Sequence, residues 1–223
     1  AAAQTGLNIT LKELAQMMAG RSHAAVLPIV KIKAHPDQQA PFAFLQGAAV
    51  LKDGKMIGSM SDAHTRGIMW LTNEIKRGTV TVSPDESPGA VSVQLLRSRT
   101  QVIPHIRGDD WSVNVRIEAH DEIIENTTNL DLSVPNHIER VERALADDIN
   151  RRISAVLEHA QKELNADIFQ FADAFYRKYP KEWNRNEKRW DDIFPKVNVE
   201  LSTKVKIARP GLLGTNIFKK KQR

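Results

Sequence analysis

The sequence predicts an α+β domain: a largely antiparallel sheet covered on one face by a long amphipathic helix, with additional shorter helices. Three observations carry this. Strand-like and helix-like runs are segregated along the chain rather than alternating. Trp111, Val113, Val115, Ile117 and Ala119 alternate with Ser112, Asn114, Arg116, Glu118 and His120, as in a strand with one buried and one wet face. Ile138, Val141, Leu145, Ile149, Ile153, Val156, Ala160 and Leu164 recur at helical spacing, giving a single apolar stripe over about eight turns.

The elements follow in order. Thr10 and Glu13 form a capping box ahead of a helix with Leu11, Leu14, Met17 and Met18 on one face, stopped by Gly20. Ala24 to Lys33 reads as a strand in which Pro28 marks an edge or a break. His35 to Pro41 is a polar loop. Phe42 to Leu51 and Met56 to Met60 are the arms of a hairpin around Lys52-Asp53-Gly54-Lys55, because Asp-Gly tolerates positive φ at both central positions. Ser61 caps a helix bearing Ile68, Trp70, Leu71 and Ile75, which Gly78 ends. Thr79 to Val82 is a short strand, and Ser83 to Gly89 is a loop and candidate subdomain boundary.

Ala90 to Ile106 is extended, but its alternation slips at Leu95-Leu96. The slip predicts a bulge, since a one-residue shift flips every later side chain. Gly108-Asp109-Asp110 turns the chain into the Trp111 strand. The long helix is capped by Ser133 or Asn136, with Pro135 in its first turn. An aromatic helix over Ile168 to Tyr179 stops before Pro180. A last strand alternates Val197, Val199, Leu201, Val205 and Ile207 with polar residues and ends at Pro210-Gly211.

Composition bounds the function. The chain has 223 residues, no cysteine, 32 Lys+Arg and 27 Asp+Glu, for a net charge of +5. Absent thiols exclude disulfides, thiolate zinc, iron–sulfur clusters and a cysteine nucleophile. The longest apolar stretch, Ala24 to Val30, is far short of the roughly 18 to 20 residues that span a bilayer. The opening residues lack the basic n-region and long apolar core of a signal peptide. The basic excess concentrates in Lys219, Lys220, Lys221 and Arg223, which leaves about +1 for the rest. A basic nucleic-acid-binding module is the alternative reading of that tail.

No motif supplies a reaction. The seven histidines form no HExxH or i,i+4 pair. A metal site at His120, with Glu118 and Glu122 on the same strand face, competes with a solvated polar face. Asp147-Asp148 and Asp191-Asp192 read as surface charge, since adjacent helical residues diverge by about 100°. Ser61, Asp62 and His64 are too close in sequence for a hydrolytic triad. No catalytic residue, cofactor or metal is therefore assigned. Trp183 and Trp190 sit among Lys181, Arg185, Lys188 and Arg189. They pack on the domain's own core, anchor a protein interface or stack on bases.

Three separated stretches resemble the C-terminal domain of the Ger(x)C spore germination proteins. One is Lys52 to Lys55 with Thr65-Arg66-Gly67 and Trp70-Leu71. The second is Ala166-Asp167-Ile168-Phe169, Arg177-Lys178-Tyr179-Pro180, Trp183, Trp190-Asp191 and Ile193-Phe194-Pro195. The third is Val205 to Leu212. Gln170 and Ala172 stand where the family pattern leads one to expect glycine. The resemblance implies a non-enzymatic lipoprotein subunit of a nutrient germinant receptor. Such a subunit is held at the spore inner membrane by an N-terminal lipid anchor and works with integral membrane subunits. It implies that residues 1–41 are the tail of an upstream region, 42–216 the C-terminal domain, and 217–223 a basic tail, in a soluble fragment without the anchor. The candidate partner surface is Thr65 and Arg66 with Arg177, Lys178 and Tyr179; structural caps or ion pairs are the competing roles for Arg66 and Arg177.

Overall fold

The structure is a computed structural model that describes residues 6–33, 41–75, 78–84 and 88–208. The basic tail and Pro210-Gly211 lie outside the described residues.

Helix α1 (Leu11–Ala19) carries the full capping box: Glu13 N–H donates to Thr10 Oγ1, and Thr10 N–H to Glu13 Oε2. Strands β1 (Ala24–Lys33), β2 (Phe42–Lys52) and β3 (Lys55–Met60) form a three-stranded antiparallel sheet in that order. Asp53 and Gly54 sit at φ 50° and 77°, so the hairpin turn is the one their residue types favour. The pairing of β1 with β2 shifts between Pro28 and Val30.

Helix α2 (Asp62–Leu71) begins at Ser61, whose Oγ accepts from His64 N–H at 3.3 Å. It ends seven residues before Gly78, contrary to expectation. Asn73 turns at φ 60°, and residues 98 and 100 tie the segment down: Thr100 Oγ1 donates to Trp70 O in the helix's last turn, and Ser98 Oγ to Ile75 O beyond the helix.

The second sheet is four-stranded: β4 (Thr79–Val82), β5 (Val91–Arg107), β6 (Asp110–Asn126) and β7 (Asn198–Ile207), in sequence order. Leu96 is the extra residue between Leu95↔Asp121 and Arg97↔His120. Val91, Val93 and Leu95 are buried before it; Arg97, Arg99 and Gln101 are exposed after it. The bulge thus switches the parity of β5, as the slipped alternation predicts. β6 and β7 run parallel, which requires a long crossover. That crossover contains α3 (Pro135–Glu158), a π-helical turn (His159–Glu163), α4 (Phe171–Lys178), α5 (Pro180–Asn186) and α6 (Trp190–Ile193).

Helix α3 lies against β7 and β4 and packs on α2. Neither expected residue caps it. Val134 is the N-cap and makes no side-chain bond. Ser133 is committed elsewhere, since its N–H and Oγ–H both donate to Asp131 Oδ1 at 3.0 and 2.7 Å. Asn136 falls inside the first helical turn. The aromatic helix starts at Phe171 rather than Ile168, because Gln170 adopts φ 60° and Asp167 caps from below. The core runs from Val26 and Val50 through Ile68 and Trp70 to Val115, Ile153 and Phe175.

Candidate functional site

The residues of the expected partner surface fall on two supports. Thr65 is fully buried, and its hydroxyl donates to Ser61 O at 2.9 Å, so this side chain does not reach solvent. Arg66 beside it is half-buried. Arg177 and Lys178 are exposed at the end of α4. Lys178 Nζ donates to Pro104 O on β5 at 2.8 Å and lies 5.3 Å from the Tyr179 ring. Tyr179 is half-buried against the core, and its N–H closes α4 on Phe175 O.

On the wet face of the second sheet lies a groove of about 960 Å³. Its floor is His105 and Arg107 of β5, Ser112, Asn114 and Arg116 of β6, and Asn198 and Glu200 of β7. Arg189, Asp192 and Lys196 wall it. Both cations and carboxylates line it, and Asn114 Oδ1 has no hydrogen-bond partner among the described residues. This is chemistry for holding a polar partner of mixed charge. The groove escaped the sequence reading because it joins stretches some 80 residues apart. The one signal that marks it is the polar face Ser112, Asn114 and Arg116.

The aromatic side chains of this stretch pack into the core. Trp183 and Trp190 are 1% and 5% exposed. Trp111 lies 4.7 Å from Phe175 and about 6 Å from Trp183 and Trp190 by ring centroids. Base stacking or an interface through these indoles is thereby corrected.

The charged candidates are likewise structural. Asp148 is buried, contrary to the surface reading, and pairs with Arg152 and Arg151 at 2.6 and 2.7 Å. Burial raises its carboxyl, but the two guanidiniums outweigh that and hold it below the usual range. Asp167 accepts from the N–H groups of Phe169, Phe171 and Ala172, which opens α4. Burial pushes its carboxyl up to about 6 against those donors. Asp62 Oδ1 accepts from Gly47 N–H at 2.6 Å. His64 stacks on His159 at 4.8 Å, and His159 Nδ1 lies 3.0 Å from Glu163. Burial, then the neighbouring His159, lowers the His64 pKa, with Glu163 opposing. His120 Nε2 lies 3.4 Å from Arg97 Nη2. Among the described residues no three His, Asp or Glu side chains are grouped to hold a metal ion. No helix among them is long and apolar enough to cross a membrane.

The family signatures have architectural reasons. Asp53-Gly54 makes the turn. A Cβ on Gly67 would lie 2.5 Å from Arg152 O, so Gly67 lets α2 and α3 touch. Asp167 caps α4, and Trp183, Trp190 and Phe194 fill the core. Gln170 occupies the left-handed region, where glycine costs least.

Comparison with known proteins agrees. Residues 46–211 match the family model described as spore germination B3/GerAC-like, C-terminal. The chain is 30% identical over 171 residues to spore germination protein YndF of Bacillus subtilis (strain 168), covering 76% of this chain and 42% of YndF. It is 28% identical over 176 residues to spore germination protein KC of the same organism, covering 77% and 43%. The chain thus spans less than half the length of these curated relatives. The crystal structure of the GerBC protein superposes with a TM-score of 0.74 at 19% identity, over 91% of this chain and 61% of that one, and shares the fold. With the signatures, the family match and the fold in accord, the chain belongs to the spore germination B3/GerAC-like family, whose C-terminal domain it carries at residues 46–211.

Proposed function

We propose that this chain is part of the lipoprotein subunit of a spore nutrient germinant receptor and acts by protein contact rather than by chemistry. The observation that carries the reading is the family match over residues 46–211. The expected partners are the integral membrane subunits, at the spore inner membrane, with the lipid anchor supplied upstream. Residues 1–41 are then the tail of the preceding region and 42–216 the C-terminal domain.

Support comes from how the residues are used. Thr65, Gly67, Asp167 and the tryptophans serve the fold. Arg177 and the groove residues Arg116, Arg189 and Lys196 are exposed, and a partner presenting carboxylates to them suits these four cations. Arg177→Glu and Arg189→Glu, made together in the full-length protein, test the surface. Co-purification of the membrane subunits should fall about tenfold, a loss of about 1.4 kcal/mol, with the melting temperature unchanged. Unchanged recovery would remove this surface from the reading.

A further inference from the structure

The face of β1 that begins in the core runs out of cover before the strand ends. The extra residue at the Pro28/Val30 shift lies on β2, where Gln46 and Gly47 stand between the partners of Pro28 and Val30 and only Ile29 intervenes on β1. The alternation of β1 is therefore unbroken, and Val26, Pro28, Val30 and Ile32 share one face. Along it, exposure climbs from 2% at Val26 to 61% at Val30 and 75% at Ile32. Leu45, opposite Val30, is 43% exposed. A strip continuous with the core, and apolar to its end, is a surface that expects a cover.

We infer that this strip is the seat of a further stretch of the same polypeptide, in the longer protein of which this family's members are examples. Two observations choose that occupant. The chain itself arrives over the strip: Gly6 lies so close that a Cβ there would stand 2.6 Å from Leu45 Cδ1, and Leu7 next to it is 2% exposed. Relatives also have the length to supply a cover, since this chain spans 42% of YndF and 61% of the GerBC chain. A second copy fits less well. β1 is an edge strand bearing Lys31 and Lys33, which disfavour edge-to-edge pairing. A bilayer fits less well too, because the sequence His35-Pro36-Asp37-Gln38-Gln39 between the two strands is polar. The inference rests on the family reading. Its test needs no spore, so its failure would leave the germination role standing.

The absence of cysteine in these 223 residues makes thiol labelling clean. In the purified full-length protein, with any cysteines outside this stretch changed to serine, Ile32→Cys is compared with Lys55→Cys on the exposed hairpin turn. Alkylation at position 32 should be about tenfold slower or more, at every protein concentration and without lipid, and should equal position 55 in denaturant. Equal rates in the folded protein overturn the inference. So does protection that disappears on dilution, which assigns the strip to a second copy. So does protection that appears only with vesicles, which assigns it to a bilayer. Should Ile32→Cys fail to fold, amide exchange in the unaltered protein decides: Val30 and Ile32, whose N–H groups point the same way as that of Val26, exchanging as slowly as Val26 supports the cover, and fast exchange overturns it.

Discussion

Asp121 sits in the second sheet between Leu95 and Ile207, 3% exposed, and its Oδ1 has no partner among the described residues. Burial pushes this carboxyl up to about 7. The sign of the linkage follows. Between the ordinary carboxylate pKa, about 3.9, and 7, the unfolded chain ionises while the folded one stays protonated. Asp121 therefore lowers stability as pH rises through that window, by about 1.4 kcal/mol per unit. Asp121→Asn should remove that slope and melt higher than the parent at pH 8, with little difference at pH 4; parallel stability curves would contradict this. Asp121's inward direction was legible, because strand parity turns it away from His120 and Glu122. The fate of Asp148 was not. Its carboxylate is held by two arginines one helical turn on, on a helix that packs against α2, and spacing alone does not report that.

At the scale of elements, Gly67 carries the contact between α2 and α3. A methyl there meets the Arg152 carbonyl and lies 2.7 Å from Val156 Cγ1. Gly67→Ala gains about 1 kcal/mol of helix propensity against about 1–3 kcal/mol of overpacking. A net loss of stability is expected, read as a lower melting temperature. Gly78→Ala, with nothing within 4 Å of the added Cβ, is the control and should be neutral. The strands, the Asp-Gly turn and the Leu96 bulge were legible because each is written in local alternation. Helix ends were harder. Ser133 bonds to Asp131, Asp167 accepts from the Phe171 and Ala172 N–H groups, and the Trp70 carbonyl in the last turn of α2 accepts from Thr100. In each case a competing hydrogen bond, not propensity, decides the boundary.

Across the whole molecule, the strands sort into a three-stranded and a four-stranded sheet, with α2 packed between β2 and α3. The class was legible from segregated runs of helix and strand. Which strands share a sheet was not, since no local pattern encodes a parallel β6–β7 pair bridged by 71 residues of crossover. The same distance hid the groove, whose floor and walls come from both ends of that crossover. The family signatures were legible, and they prove to be the fold's own joints: a turn, a helix contact, a cap and a core. We propose that this fold serves nutrient germination through contacts. The most direct measurement is germination of spores whose gene lacks the segment coding for residues 46–211, with immunoblots showing that the other receptor subunits are still made. Loss of the response to one class of nutrient, with the response to others intact, is the expected result; normal germination to every nutrient would overturn the proposed role.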